Sequence, residues 1–185
     1  MTADELAAAA TTALGVAVTV EDAYPPLTLD VPADRWVDAA RYVRAELGCD
    51  FFDWLSAYDA LDEGFAVVVH SYALERHHHL ALRTRIPRED PRLPTLTEVW
   101  PGANWHERET FEMFGIFFDG HPRLVPLLLP DGFVGHPLRK EFILAARVAK
   151  PWPGAKEPGE SEEGGATGRR RMRPPGVPET WGPPE

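Results

Sequence analysis

The sequence predicts an α+β domain, a mixed or antiparallel sheet with helices on one face, followed by a further helix and an extended C-terminal arm. Over residues 1–90 the apolar periodicity runs helix, strand, strand, helix, then three strands. The last three strands are joined by gaps of hairpin length, so they should form an antiparallel meander with the helices layered on one side. After Pro87 the pattern changes to charged, Pro- and Gly-punctuated text, which suits a path laid over a surface.

The elements follow in order. Thr2 and Glu5 form a capping box ahead of an alanine-rich helix that stops at Gly15. Val16 to Val20 alternates and is β-branched, which predicts a strand; Leu27, Leu29 and Val31 predict a second. Pro32 and Asp34 open a helix that ends at Gly48, with Trp36, Val37, Ala40, Val43 and Leu47 on its packing face. Phe51 to Tyr58, Phe65 to Leu74 and His78 to Ile86 supply the three strands of the meander. Thr95 and Thr97 introduce a short helix over TEVW, and Pro101 restarts a second, GANWHERETFEMFG, closed by Gly115. From there to Phe142 an irregular, extended path is expected. The domain plan is therefore 1–90, an α+β domain; 91–149, helix and arm; and 150–185, a Pro/Gly-rich tail expected to lack order by itself.

Composition narrows the function. The net charge is −10, and residues 150–185 hold six Lys/Arg and six Glu, so the acid excess lies in residues 1–149. An acidic body argues against nucleic-acid binding, which needs cations to displace counterions. Cys49 is the single cysteine, so no intramolecular disulfide, iron–sulfur cluster or cysteine zinc site is expected. The first residues lack a basic n-region, and no apolar run approaches the ~20 residues of a membrane span. There is no GxGxxG and no GxxxxGK[ST] pattern, hence no expected nucleotide loop.

Three clusters remain as candidate chemistry. Glu107, Arg108, Glu109 and Glu112 share one helix; Arg108 and Glu112 are four apart and could pair, while Glu109 and Glu112 are three apart and could act as acid and base. The ordinary alternative is a solvated face. Against it, Trp105, Phe111, Met113 and Phe114 are spread around the cylinder, which suits a helix wedged between two surfaces. His77, His78 and His79 are consecutive, so in a strand at most two could share an ion, and a structural turn is the simpler reading. His121 and His136 each sit in Gly-His-Pro, where a bend should project the imidazole outward. No nucleophile or orienting acid adjoins them in sequence, so docking is favoured over catalysis. Arg139 and Lys140 add cations to an otherwise acidic chain and suit a carboxylate-bearing partner.

Read together, ERETFEMFGIFFDGHPRL and the later GHPLRKEF closely resemble the signature of the NADH-quinone oxidoreductase C subunit, the thirty-kilodalton-type subunit family of respiratory complex I. The matching positions are Glu107-Arg108-Glu109, Glu112, Phe114-Gly115-Ile116, Gly120-His121-Pro122 and Gly135 to Phe142, with Trp100, Pro101, Ala103 and Trp105 upstream. Three positions depart: Glu112 and Glu141 stand where the pattern has Asp, and Pro126 replaces a commonly basic residue.

The resemblance implies a peripheral-arm docking subunit of the proton-translocating NADH:quinone oxidoreductase, with no cofactor of its own. FMN and iron–sulfur clusters would belong to partner subunits. It implies contact with the quinone-module subunit (lettered D), which resembles hydrogenase large subunits, and with the adjacent cluster-bearing subunit (lettered B). Localisation would be the cytoplasmic side of the cell membrane, with membrane contact only through the complex. The implied interface residues are Trp105, Glu107, Arg108, Glu109, Glu112, Phe114, Gly115, His121, Pro122, His136, Pro137, Arg139 and Lys140. The expectation is that the charged set forms ion pairs at a subunit interface. The same signature serves the equivalent subunit of a membrane-bound hydrogenase or another quinone- or ferredoxin-linked dehydrogenase. A stand-alone metal-dependent hydrolase built on His121, His136 and the Glu pair is the distant alternative.

Overall fold

The computed structural model describes residues 2–143; the expected tail, 150–185, lies outside them. Helix α1 (Ala3–Leu14) starts at the predicted box, with Thr2 accepting from the Glu5 N–H while the Glu5 carboxylate accepts from the Thr2 N–H. It is followed by β1 (Thr19–Glu21), β2 (Leu27–Asp30), a 3₁₀ turn over Ala33–Arg35, α2 (Trp36–Ala45), β3 (Phe51–Asp59), β4 (Phe65–Ala73) and β5 (His78–Ile86).

The five strands form one sheet in the order β1-β2-β5-β4-β3. The meander β3-β4-β5 is antiparallel as expected, and β2 adds parallel to β5, so the sheet is mixed. The register explains the core. Leu29, Leu82, Val69 and Leu55 lie side by side across four strands, and all four are buried. Beside that row pack Leu6 and Ala10 of α1 and Trp36, Ala39, Ala40 and Val43 of α2. Helices therefore cover one face, as the periodicity required.

Three expectations change. The first strand, expected at Val16 to Val20, pairs over Thr19–Glu21, because Asp30 and Thr28 of β2 fix its register. The helix expected at TEVW is a turn: the Leu96 carbonyl accepts from both Val99 and Trp100 N–H, and Pro101 then offers no donor to continue. Two stretches read as irregular pair as a small parallel sheet, β6 (Arg92–Pro94) with β7 (Phe117–Asp119). Strands of three residues carry too little period to be seen in sequence.

Helix α3 (Ala103–Phe114) lies between β6 and β7 in the chain and packs mainly on β3. It buries Ala103, Glu107, Thr110, Met113 and Phe114 along one side, and Glu112 on the opposite side. Sheet on one side and arm on another account for this, as the scattered aromatics implied.

Candidate functional site

The geometry of the signature begins at Gly115. It caps α3 at φ +72, and a Cβ there would stand 2.5 Å from His136 Nε2 and 2.6 Å from an Arg139 nitrogen. Only glycine allows both the left-handed cap and this approach. The two Gly-His-Pro triplets thus meet opposite ends of α3: His136 lies at the last turn and His121 at the first, against the Asn104 carbonyl.

Arm and helix are joined almost entirely by charged or imidazole side chains bonded to backbone. Glu112 is buried and accepts N–H bonds from Leu127 (3.1 Å), Leu128 (2.7 Å) and Leu129 (2.9 Å). Arg108 donates to the carbonyls of Val125 (3.0 Å) and Pro126 (2.9 Å). His136 Nδ1–H donates to the Glu112 carbonyl at 2.9 Å, Leu138 N–H to that of Met113 at 3.1 Å, and Arg139 Nε to that of Phe114 at 2.6 Å. These last three carbonyls belong to the final turn of α3, which has no intrahelical donors for them. The arm supplies what the helix end lacks.

A second knot lies at the end of β3. Asp59, almost fully buried, accepts from Lys140 N–H (2.9 Å), Leu61 N–H (2.9 Å) and the Arg88 guanidinium. Burial alone would raise the Asp59 carboxyl; the donors of Lys140, Leu61 and Arg88 outweigh it and hold the group below the usual carboxylate range. Arg88 and Arg139 both stand over the Phe65 ring, at 4.8 and 5.1 Å.

Glu107 faces the other way. It is fully buried and accepts from Leu96 N–H (2.6 Å) and the Thr95 hydroxyl (2.5 Å), tying α3 to the turn after β6. Here burial prevails over the two hydrogen bonds and pushes the carboxyl up to about 7. His121 is buried beside it, 4.0 Å away, with Nε2–H donating to the Asn104 carbonyl and Nδ1 accepting from Arg123 N–H.

Several expectations are corrected by this geometry. Arg108 and Glu112 do not pair; each bonds to arm backbone instead, Arg108 to carbonyls and Glu112 to amides. The imidazoles of His121 and His136 turn inward rather than outward, because each Gly-His-Pro bend brings its ring against the backbone of α3. Within the chain Glu107 bonds to Thr95 and Leu96, and Glu112 to the amides of Leu127, Leu128 and Leu129. Glu109 is half-buried and has no ion-pair partner among the described residues. Trp105 is exposed and lies under the Arg108 guanidinium, 5.3 Å from its ring. Pro122 and Lys140 are exposed, and Pro137 is half-buried.

Of the three consecutive histidines, His77 sits in the β4–β5 turn at φ +53, while His78 and His79 open β5 and so point to opposite faces. Sequence reasoning missed Asp59 and Arg88, the anchors for Lys140 and Glu141, which stand 81 and 53 residues away. Nothing local marks such long-range partners.

Residues 29–148 match the model of the family described as "Respiratory-chain NADH dehydrogenase, 30 Kd subunit". The chain belongs to this family. It is thereby a subunit of the NADH-quinone oxidoreductase type, as the ERETFEMFG and GHPLRKEF stretches implied. The NADH-quinone oxidoreductase C subunit of Roseiflexus castenholzii is 44% identical over 124 residues, 65% of this chain and 71% of that one. The fused C/D protein of the same oxidoreductase in Methylococcus capsulatus is 38% identical over 136 residues, covering 68% of this chain and 23% of that longer one. A trypsin-resistant fragment (1-134) of Nqo5 superposes with a TM-score of 0.57 and 30% identity, over 66% of this chain and all of that one. A chain of the membrane-bound sulfane sulfur reductase, an archaeal respiratory membrane complex, gives 0.61 and 27%, covering 69% and 77%.

Proposed function

We propose that this chain is a non-catalytic docking subunit of complex I whose arm, shaped by α3, lies across the quinone-module subunit and beside the cluster-bearing one. FMN and iron–sulfur clusters belong to the partners, and the chain reaches the cytoplasmic side of the cell membrane only through them. One observation carries the reading. Arg108, Glu112, His136 and Arg139 are consumed in joining arm and helix, and the arm then presents Leu128, Val134, Leu138 and Ile143 outward, each more than half exposed. A single chain has no reason to fix so many apolar side chains in water; a partner surface would cover them. The fused relative, whose name joins C and D, supports the quinone-module subunit as that neighbour. No described helix is long and apolar enough to cross a membrane.

Arg108→Ala should free the carbonyls of Val125 and Pro126 and blur the arm, lowering the yield of assembled complex. Leu138→Asp alters only an exposed residue, so it should leave the melting temperature of the isolated chain unchanged and reduce co-purification with the quinone-module subunit. Subunit composition after mild-detergent purification is the readout. Normal yield and composition in both variants would sink the proposal.

The likeness to the sulfane sulfur reductase chain favours a second reading, the equivalent subunit of a related respiratory complex. Partners bearing FMN would decide for the NADH-linked complex.

A further inference from the structure

The sheet face turned away from the helices has two unlike halves. Toward β1, β2 and β5 it is tiled by ion pairs that satisfy one another: Arg83 holds Asp30 and Glu21, both at 2.6 Å, and Arg85 approaches Glu63 at 3.5 Å. Toward β3 and β4 it is aromatic. Trp54 lies beside His70, Ser56 beside Val68, Tyr58 beside Ala66 and Phe51 beside Tyr72. Phe51, Trp54 and Tyr58 remain 49%, 39% and 42% exposed.

The aromatic half is braced. Trp54 stacks on His70 at 5.6 Å, His70 on His79 at 5.2 Å, and His79 packs on Tyr72 at 4.5 Å. His70 is fixed in turn by the Asp53 carboxylate at 2.8 Å. It is also one-signed. Neither β3 nor β4 contains Lys or Arg, while Asp50 and Asp53 stand exposed at the start of β3; Asp59 is the only other acid on these strands and is bound by Arg88.

The free edge of β3 is met by the chain itself at two points, which favours approach onto the face. The outward N–H and C=O of Leu55 lie 3.3 and 3.1 Å from His106 Nδ1, and the arm closes the Asp59 end.

We infer that the β3–β4 face is a second docking surface, separate from the arm, which receives a lysine- or arginine-bearing segment of another subunit. Its cations would lie over the rings of Trp54 and Tyr58 and against the Asp53 carboxylate. Rigid aromatics lose little conformational freedom on binding; with Arg83 and Arg85 of β5 already engaged by Asp30, Glu21 and Glu63, the exposed Asp50 and Asp53 favour a basic partner.

The test is photo-crosslinking in the assembled complex. A benzophenone side chain replaces Ser56, at the centre of the face, or Leu138 on the arm, and the captured peptides are identified. Position 56 should capture a Lys/Arg-bearing segment of another subunit. Trp54→Ala and Tyr58→Ala, made singly, should leave the chain folded with the far-ultraviolet circular dichroism of the parent, and together lower that capture at least about fivefold, with Asp53→Asn lowering it less. Several results would overturn the inference: no capture at 56 while 138 captures, a segment without cations, a second copy of this chain, or the chain's own arginine-rich stretch RRRMR at 169–173. Failure at 138 instead counts against the arm's docking role alone.

Discussion

The sheet body and the arm are held by opposite means. In the body, rows such as Leu29–Leu82–Val69–Leu55 bury apolar side chains against two helices, and the stabilisation is spread over many contacts. In the arm, residues 125–142 bury little, and single side chains (Glu112, Arg108, His136, Arg139, Asp59) each fix one or more backbone groups. Distributed packing gives cooperative stability; point anchors give shape that each anchor can lose separately. Such a device holds a segment in a binding-ready form although it lacks a core, which lowers the ordering cost when a partner arrives.

The largest expected effect lies in the body. Phe65→Ala removes a fully buried ring that also supports Phe114, Arg88 and Arg139. It should cost about 3–5 kcal/mol in denaturant unfolding of the isolated chain and loosen body and arm together. Loss of the arm alone, with the body's unfolding midpoint intact, would place Phe65 on the arm's side of the comparison.

Next comes the pH response of Glu107. Its carboxyl titrates near 7 in the fold and near 4.5 when unfolded. Between those values the native state retains a proton that the unfolded chain releases, so stability falls as pH rises from about 4.5 to 7, by up to roughly 3 kcal/mol. Glu107→Gln should flatten that slope in melting curves taken across the range. An unchanged slope would remove Glu107 as its source.

The smallest global effect, and the sharpest local one, is expected from Glu112→Ala. Leu127, Leu128 and Leu129 lose their shared acceptor but remain near solvent, so overall stability should fall by only about 1–2 kcal/mol. Hydrogen exchange over residues 125–142 should accelerate while β4 and β5 stay protected. Equal acceleration in both would mean the two regions are one cooperative unit.

The sequence was legible where a period or a cap is local. The Thr2–Glu5 box, the α2 stripe, the β3-β4-β5 meander and the Gly115 stop could all be read from neighbours within a few residues. The family was legible because its motif is long and ordered. What the motif does was not. Glu107 and Glu112 look alike in sequence, five positions apart on one helix, yet one is a carboxyl raised by burial and the other a hub for three amides. The same limit hid Asp59, whose partner Lys140 lies 81 residues on.

By itself, then, the sequence determined the layer order, the capping box of α1, the Gly15 and Gly115 stops and the family, since periodicity, capping and motif order act over short range. Only the tertiary structure decided that the charged signature turns inward. Which groups are desolvated, and which donors reach them, depends on surfaces brought together from Asp59, α3 and the arm, and no local pattern encodes that meeting. It left the apolar side chains of the arm and the aromatic half of the sheet facing out.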